Sequence, residues 1–117
     1  NKSLSEIESN DIIFDIGANT IKNIGKIINS SKTLLWNGPL GFFERDFFAS
    51  GSNEIAKLIK INTQKKLLTS IAGGGDTAAA IKKAKAEDGF SYISTAGGAF
   101  LEWLEGKILP GLKVLEK

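Results

Sequence analysis

Three consecutive glycines followed by an acid and a hydroxyl make Ile71–Thr77 (IAGGGDT) the segment best suited to chemistry. Glycine has no Cβ, so its backbone can come close to a ligand. A helix opening at Asp76 would turn unpaired amides and the positive end of its dipole toward that ligand, and a chain of phosphates suits such a place. Asp76 can cap the helix, and its carboxylate is also a hard oxygen ligand of the kind that holds Mg²⁺ beside nucleotide phosphates. The same residues admit a plainer use, a tight turn between strand and helix with Asp76 as a cap alone. The segment is not a P-loop: no Gly-Lys-Ser/Thr closes it, and the first Lys after the glycines is Lys82. Ser94–Gly98 (STAGG) offers a second cluster of backbone donors and two hydroxyls, again at a helix start. Two such starts on one sheet edge suit separated phosphates, or a phosphoryl group passing between two ligands. In Trp36–Glu44 (WNGPLGFFE), Asn37 is a polar group at a strand end and Glu44 an acid able to accept the hydroxyl protons of a ribose. Phe42 and Phe43 read as core residues rather than platforms for a base.

These segments need elements to hold them. The β-branched run at residues 11–16 (DIIFDI) predicts a strand entering a turn at Gly17. Ile21, Ile24, Ile27 and Ile28 stand three or four apart and predict a helix over 20–29. Lys32–Trp36 reads as strand and Ser52–Ile61 as helix. Lys66–Ala72 is again strand-like and leads into a helical Asp76–Ala86; Phe90–Ser94 and Gly97–Glu105 repeat the pair before Gly106 and Pro110-Gly111. Residues 1–10 form a polar lead-in with a short helical turn. Strands alternating with helices of about ten residues are the mark of βαβ units on a parallel sheet. Such sheets carry ligands at the carboxyl ends of their strands, where all the turns just described would lie.

The 117 residues are 42% hydrophobic, with 15 basic against 13 acidic side chains, as expected of a single ordinary globular domain. A net charge of +2, spread evenly, gives no basic face for nucleic acid. The chain has no Cys and no His, which excludes disulfides, thiolate zinc sites, cysteine nucleophiles and His-dependent triads. No apolar stretch approaches the roughly 20 residues that span a bilayer, and no signal-peptide pattern opens the chain, so a cytoplasmic location without membrane contact is expected. The absence of Met, even at position 1, is expected of a fragment or a processed product.

In order, DIG, WNGPLGFFE, GGGDTAAAIKKA and STAGGAFLEWLEGKILPG resemble the last part of the phosphoglycerate kinase family, from about Asp11 to Lys113. The resemblance implies an α/β fold: a Rossmann-like parallel sheet with flanking helices, about four βα units of a larger nucleotide-binding domain. Residues 1–117 would be part of that carboxy-terminal domain. The implied reaction is reversible phosphoryl transfer between 1,3-bisphosphoglycerate and ADP, giving 3-phosphoglycerate and ATP, in glycolysis. Carried over from the family, Gly74, Gly75, Asp76 and Thr77 would hold the phosphates of ATP or ADP and Mg²⁺, with Asp76 reaching the metal. Glu44 would hold the ribose, and Asn37 would lie by the phosphates. The backbone amides of Gly97 and Gly98 would meet the transferring phosphoryl group.

The family's 3-phosphoglycerate site, its catalytic arginine and its phosphate-binding lysines belong to segments not found in this sequence, and Arg45, the only Arg, does not match them. The expectation is therefore a fragment supplying part of the Mg-nucleotide site, inactive alone, and self-associating or pairing with an upstream fragment. The alternative is a non-catalytic α/β fragment of a split or decaying gene that binds nucleotide weakly or only a partner. Ala18 stands where the family commonly has Pro, Ile13 where a Gly often lies against the adenine, and Tyr92 where a His is usual. Ala96 replaces the first of three glycines and Phe100 a small polar residue.

Overall fold

Ile21, Ile24 and Ile28 turn one stripe of a helix toward the interior, and α1 (Ala18–Ser30) forms on that stripe, while Ile27 faces outward. Ile55, Ala56 and Ile59 give α2 (Ser50–Gln64) its buried face. The two helices pack together at Gly25, where an added Cβ would stand 3.2 Å from Leu58, so a small residue sets their approach. This is a computed structural model, and it describes residues 2–115.

Three short parallel strands make one sheet in chain order: β1 (Thr33–Asn37), β2 (Thr69–Gly73) and β3 (Tyr92–Ser94). Leu35 lies opposite Ile71 and Ile71 opposite Tyr92; Trp36, Ala72 and Ile93 form the next row. Side chains alternate across a strand, so these rows belong to opposite faces. The Trp36–Ala72 face meets Ile28, Ile55, Ile59 and Ile81 in the main core. Ile81 comes from α3 (Gly75–Lys83), which follows β2. The Leu35–Ile71–Tyr92 face is covered only in part, by Phe100 and Leu104 of α4 (Gly97–Leu104) and by residues near α5 (Pro110–Lys113), which border a groove of about 840 Å³. Leu35, Tyr92 and Trp103 remain exposed.

The α/β architecture and parallel order agree with the sequence pattern, but among the described residues there are three strands and not four. Residues 11–16 form no strand. Ile12 and Ile13 are 73% and 68% exposed, and the segment is held by its polar groups. The Asp15 carboxylate accepts the Ile16 and Gly51 amides at 2.8 and 2.9 Å, and the Phe14 carbonyl accepts the Phe42 amide at 2.7 Å. The Phe14 carbonyl and the Ile16 amide, which a strand would give to a ladder, are thus taken by a loop amide and by the Asp15 carboxylate, and β1 is left at the edge of the sheet. Among the described residues, no helix is long and apolar enough to cross a membrane.

Candidate functional site

β2 ends at Gly73, and Gly74 makes the turn into α3 with φ +102°, a conformation that side chains rarely adopt. Its amide continues the ladder to the Ser94 carbonyl at 2.9 Å, and its carbonyl accepts the first helical bond, from Ala78 at 3.0 Å. The amides of Gly75, Asp76 and Thr77 precede that bond and form the donor end of α3. The helix therefore opens at Gly75, one residue before the expected start. Asp76 is its second residue and makes no capping hydrogen bond, which corrects the reading of this side chain as a cap. Its carboxylate is exposed, and among the described residues no hydrogen bond or ion pair engages it. A negative charge in the first turn is favoured by the helix dipole without a cap bond.

The second start lies beside the first. After β3, Ser94 Oγ accepts the Ala96 amide at 3.3 Å, and Ala96 has φ −95°, a conformation open to alanine, so glycine is not required there. The first bond of α4 runs from the Phe100 amide to the Ala96 carbonyl at 2.7 Å, which leaves the Gly97, Gly98 and Ala99 amides as its donor end. Gly97 sits against the Gly74 turn: a Cβ on Gly97 would lie 2.7 Å from Gly74 Cα and 3.1 Å from Gly74 N. No side chain fits between the two backbones.

Asn37 ends β1 above this junction. Its Oδ1 would stand 3.2, 3.5 and 3.4 Å from Cβ atoms placed on Gly73, Gly74 and Gly97. The loop after Asn37 is tied down twice at Gly38, whose carbonyl accepts Trp36 Nε1 at 2.6 Å and whose amide donates to Thr77 Oγ1 at 2.8 Å. Thr77 is only 1% exposed, so its hydroxyl joins the loop after β1 to α3 from inside the protein. That tie, 39 residues apart in the chain, has no sequence signal.

Asn37, Gly74, Thr77 and Gly97 are thus brought together, with Gly75, Asp76 and Gly98 at the rim. Glu44 is exposed, and among the described residues no hydrogen bond joins its carboxylate to Gly74–Thr77. Its carbonyl, and that of Phe43, accept hydrogen bonds from Lys83 of α3. Phe43 is a core residue with Ala49 and Ala80, as expected. Phe42 is not: it is exposed, its ring 6.1 Å from that of Phe14, because its neighbour takes the inward position. Ala18 is the first residue of α1, and Phe100 lies over Gly73. Among the described residues, no three acidic side chains cluster as a metal site.

A family profile for phosphoglycerate kinase matches residues 1–107. The chain belongs to the phosphoglycerate kinase family. It is 56% identical over 109 residues to a phosphoglycerate kinase of Orientia tsutsugamushi (strain Boryong), covering 93% of this chain and 27% of that protein. It is 48% identical over 115 residues to one of Mesorhizobium japonicum, covering 98% and 29%. The structure of phosphoglycerate kinase from Coxiella burnetii superposes with a TM-score of 0.84 at 46% identity, over 97% of this chain and 28% of that one. The chain thus spans under a third of the length of these phosphoglycerate kinases.

The Thr77 tie generates a test. Thr77→Val leaves the Gly38 amide without its acceptor and should lower stability by about 1–3 kcal/mol in urea unfolding, while Thr77→Ser, which keeps the oxygen, should lose less. Equal losses for the two variants would show that the methyl group, not the hydroxyl, holds the loop.

Proposed function

We propose that residues 1–117 are part of the nucleotide-binding domain of a phosphoglycerate kinase and supply part of its Mg-nucleotide site. The reaction of the complete enzyme on this reading is reversible phosphoryl transfer between 1,3-bisphosphoglycerate and ADP, in the cytoplasm, as a step of glycolysis. The observation that carries it is the contact of the two helix starts at Gly74 and Gly97. Phosphoryl transfer asks a protein chiefly for position and charge stabilisation, which suits a site with no His or Cys.

On this reading the amides of Gly75, Asp76 and Thr77, with Gly74 giving close access, bind the phosphates of ATP or ADP. Asp76 orients Mg²⁺ through its unengaged carboxylate, Asn37 contacts the phosphates, and Glu44 accepts the ribose hydroxyls. Mg²⁺, when bound with the nucleotide, neutralises charge on the phosphates. The Gly97 and Gly98 amides stabilise the transferring group, since donors fixed before reaction cost no reorganisation during it. The chain has no match to the family's 3-phosphoglycerate site, and its one Arg is Arg45. Catalysis therefore requires a complementary segment, and this chain alone is inactive.

The metal role predicts a conditional effect. Asp76→Ala should weaken ADP binding about tenfold with Mg²⁺ and much less in EDTA, because only the metal-linked part passes through the carboxylate. Equal losses in both would assign Asp76 to the loop alone. The same unsubstituted chain should show no turnover in a coupled assay; a rate of about 1–100 s⁻¹, usual for kinases, would contradict the need for a complement.

The half-covered face favours a further part of this reading, that the chain pairs with an upstream fragment or with a second copy. Parallel sheets are normally covered on both faces, and the Leu35–Ile71–Tyr92 row is not. Sedimentation should show association that rises with concentration and a hetero-complex when the upstream half of a relative is added. A monomer at all concentrations that ignores the added half would refute it.

A further inference from the structure

Lys83 lies in the last turn of α3, seven residues after Asp76. Its ammonium is surrounded by acceptors of the loop that follows β1: the Phe43 carbonyl at 2.8 Å, the Glu44 carbonyl at 3.1 Å and the Asp46 carboxylate at 2.7 Å. Two of its three N–H donors are given to these carbonyls, and the Asp46 carboxylate pairs with its charge. One turn earlier on the same helix, Ala80 is buried against Phe43 and Ala49. Apolar and polar contacts from one stripe of α3 therefore grip residues 43–46 together. The hydrogen bond and charge of Lys83 hold the exposed Asp46 carboxyl below the usual carboxylate range, which agrees with a formed pair.

We infer that Lys83 is a positioning residue, which holds the Phe43 and Glu44 carbonyls on α3 and so fixes where the Glu44 carboxylate stands relative to the Gly74–Thr77 turn at the other end of that helix. This rests on the reading of Glu44 as acceptor for the sugar hydroxyls. Phosphate contacts and sugar contacts are then attached to opposite ends of one rigid element, about 14 Å long at 1.5 Å per residue over the nine residues of α3. Thr77 ties the start of the loop to α3 through Gly38, and Lys83 ties its end. The spacing between the two parts of a nucleotide is set by this single helix and not by the flexibility of an exposed loop. A nucleoside diphosphate with intact sugar hydroxyls is the ligand that profits, whereas one lacking them gains nothing from Lys83.

The test compares Lys83→Met, which keeps the stem and loses the ammonium, with Lys83→Arg. In calorimetry with Mg²⁺, Lys83→Met should weaken ADP about tenfold and leave 2′,3′-dideoxy-ADP within about twofold, with Lys83→Arg recovering part of the difference. Glu44→Gln should remove the preference for ADP, and adding Lys83→Met to it should change nothing more. Equal weakening of both nucleotides by Lys83→Met, or of neither, overturns the proposal. If the unsubstituted chain does not distinguish the two nucleotides, the sugar role of Glu44 has failed, and hydrogen exchange without ligand decides the place of Lys83. Faster exchange across Glu44–Phe48 in Lys83→Met, with the amides of Thr69–Gly73 unchanged, supports the positioning role. Unchanged exchange in the loop, or faster exchange throughout, overturns it.

Discussion

Gly97 has no side chain to keep α4 away from the turn that opens α3, and the rest of the site depends on that closeness. A methyl group there would meet the Gly74 backbone at 2.7 Å, well inside van der Waals contact. Because Gly74 also donates to the Ser94 carbonyl, the two turns are joined by a hydrogen bond as well as by packing. The amides that open α3 and α4 then lie close together, at the positive ends of both helix dipoles. Asn37 stands over the junction and Thr77 anchors the loop that carries it, so three strand ends are locked at one edge.

Much of this was legible because the glycine-rich turns and the periodicity of the helices are local signals. The spacing of Ile55, Leu58 and Ile59 marks α2, and the run ending at Ala72 marks β2, because each segment buries one repeating face. The strand expected at residues 11–16 failed for a physical reason. β-branched residues favour extended backbone, but a strand needs a partner, and here Asp15 and Phe14 give their acceptors to Gly51, Ile16 and Phe42. The helix start was misplaced by one residue because Gly74, not an acid or hydroxyl, occupies the cap position. The Thr77 and Lys83 ties join residues about 40 apart, and no pattern of types or spacing points to them.

The two faces of the sheet differ in completeness. Ser70 and Ala72 face a core in which Thr63, Ile59 and Ile81 are packed or hydrogen-bonded, and that side is closed. On the other, Phe100 lies over Gly73 and stacks toward Trp103, while Tyr92 and Leu35 remain in water. Phe100 therefore links the α4 start to the apolar groove. The chain spans 28% of its structural relative, and this second face of its sheet is covered only in part.

Amide NMR during titration with MgADP shows whether both helix starts bind one ligand together. The amides of Gly75, Asp76, Thr77, Gly97 and Gly98 should shift in concert and follow a single binding constant. Shifts confined to one of the two helix starts, or found only around Trp103 and Leu109 in the apolar groove, would contradict it.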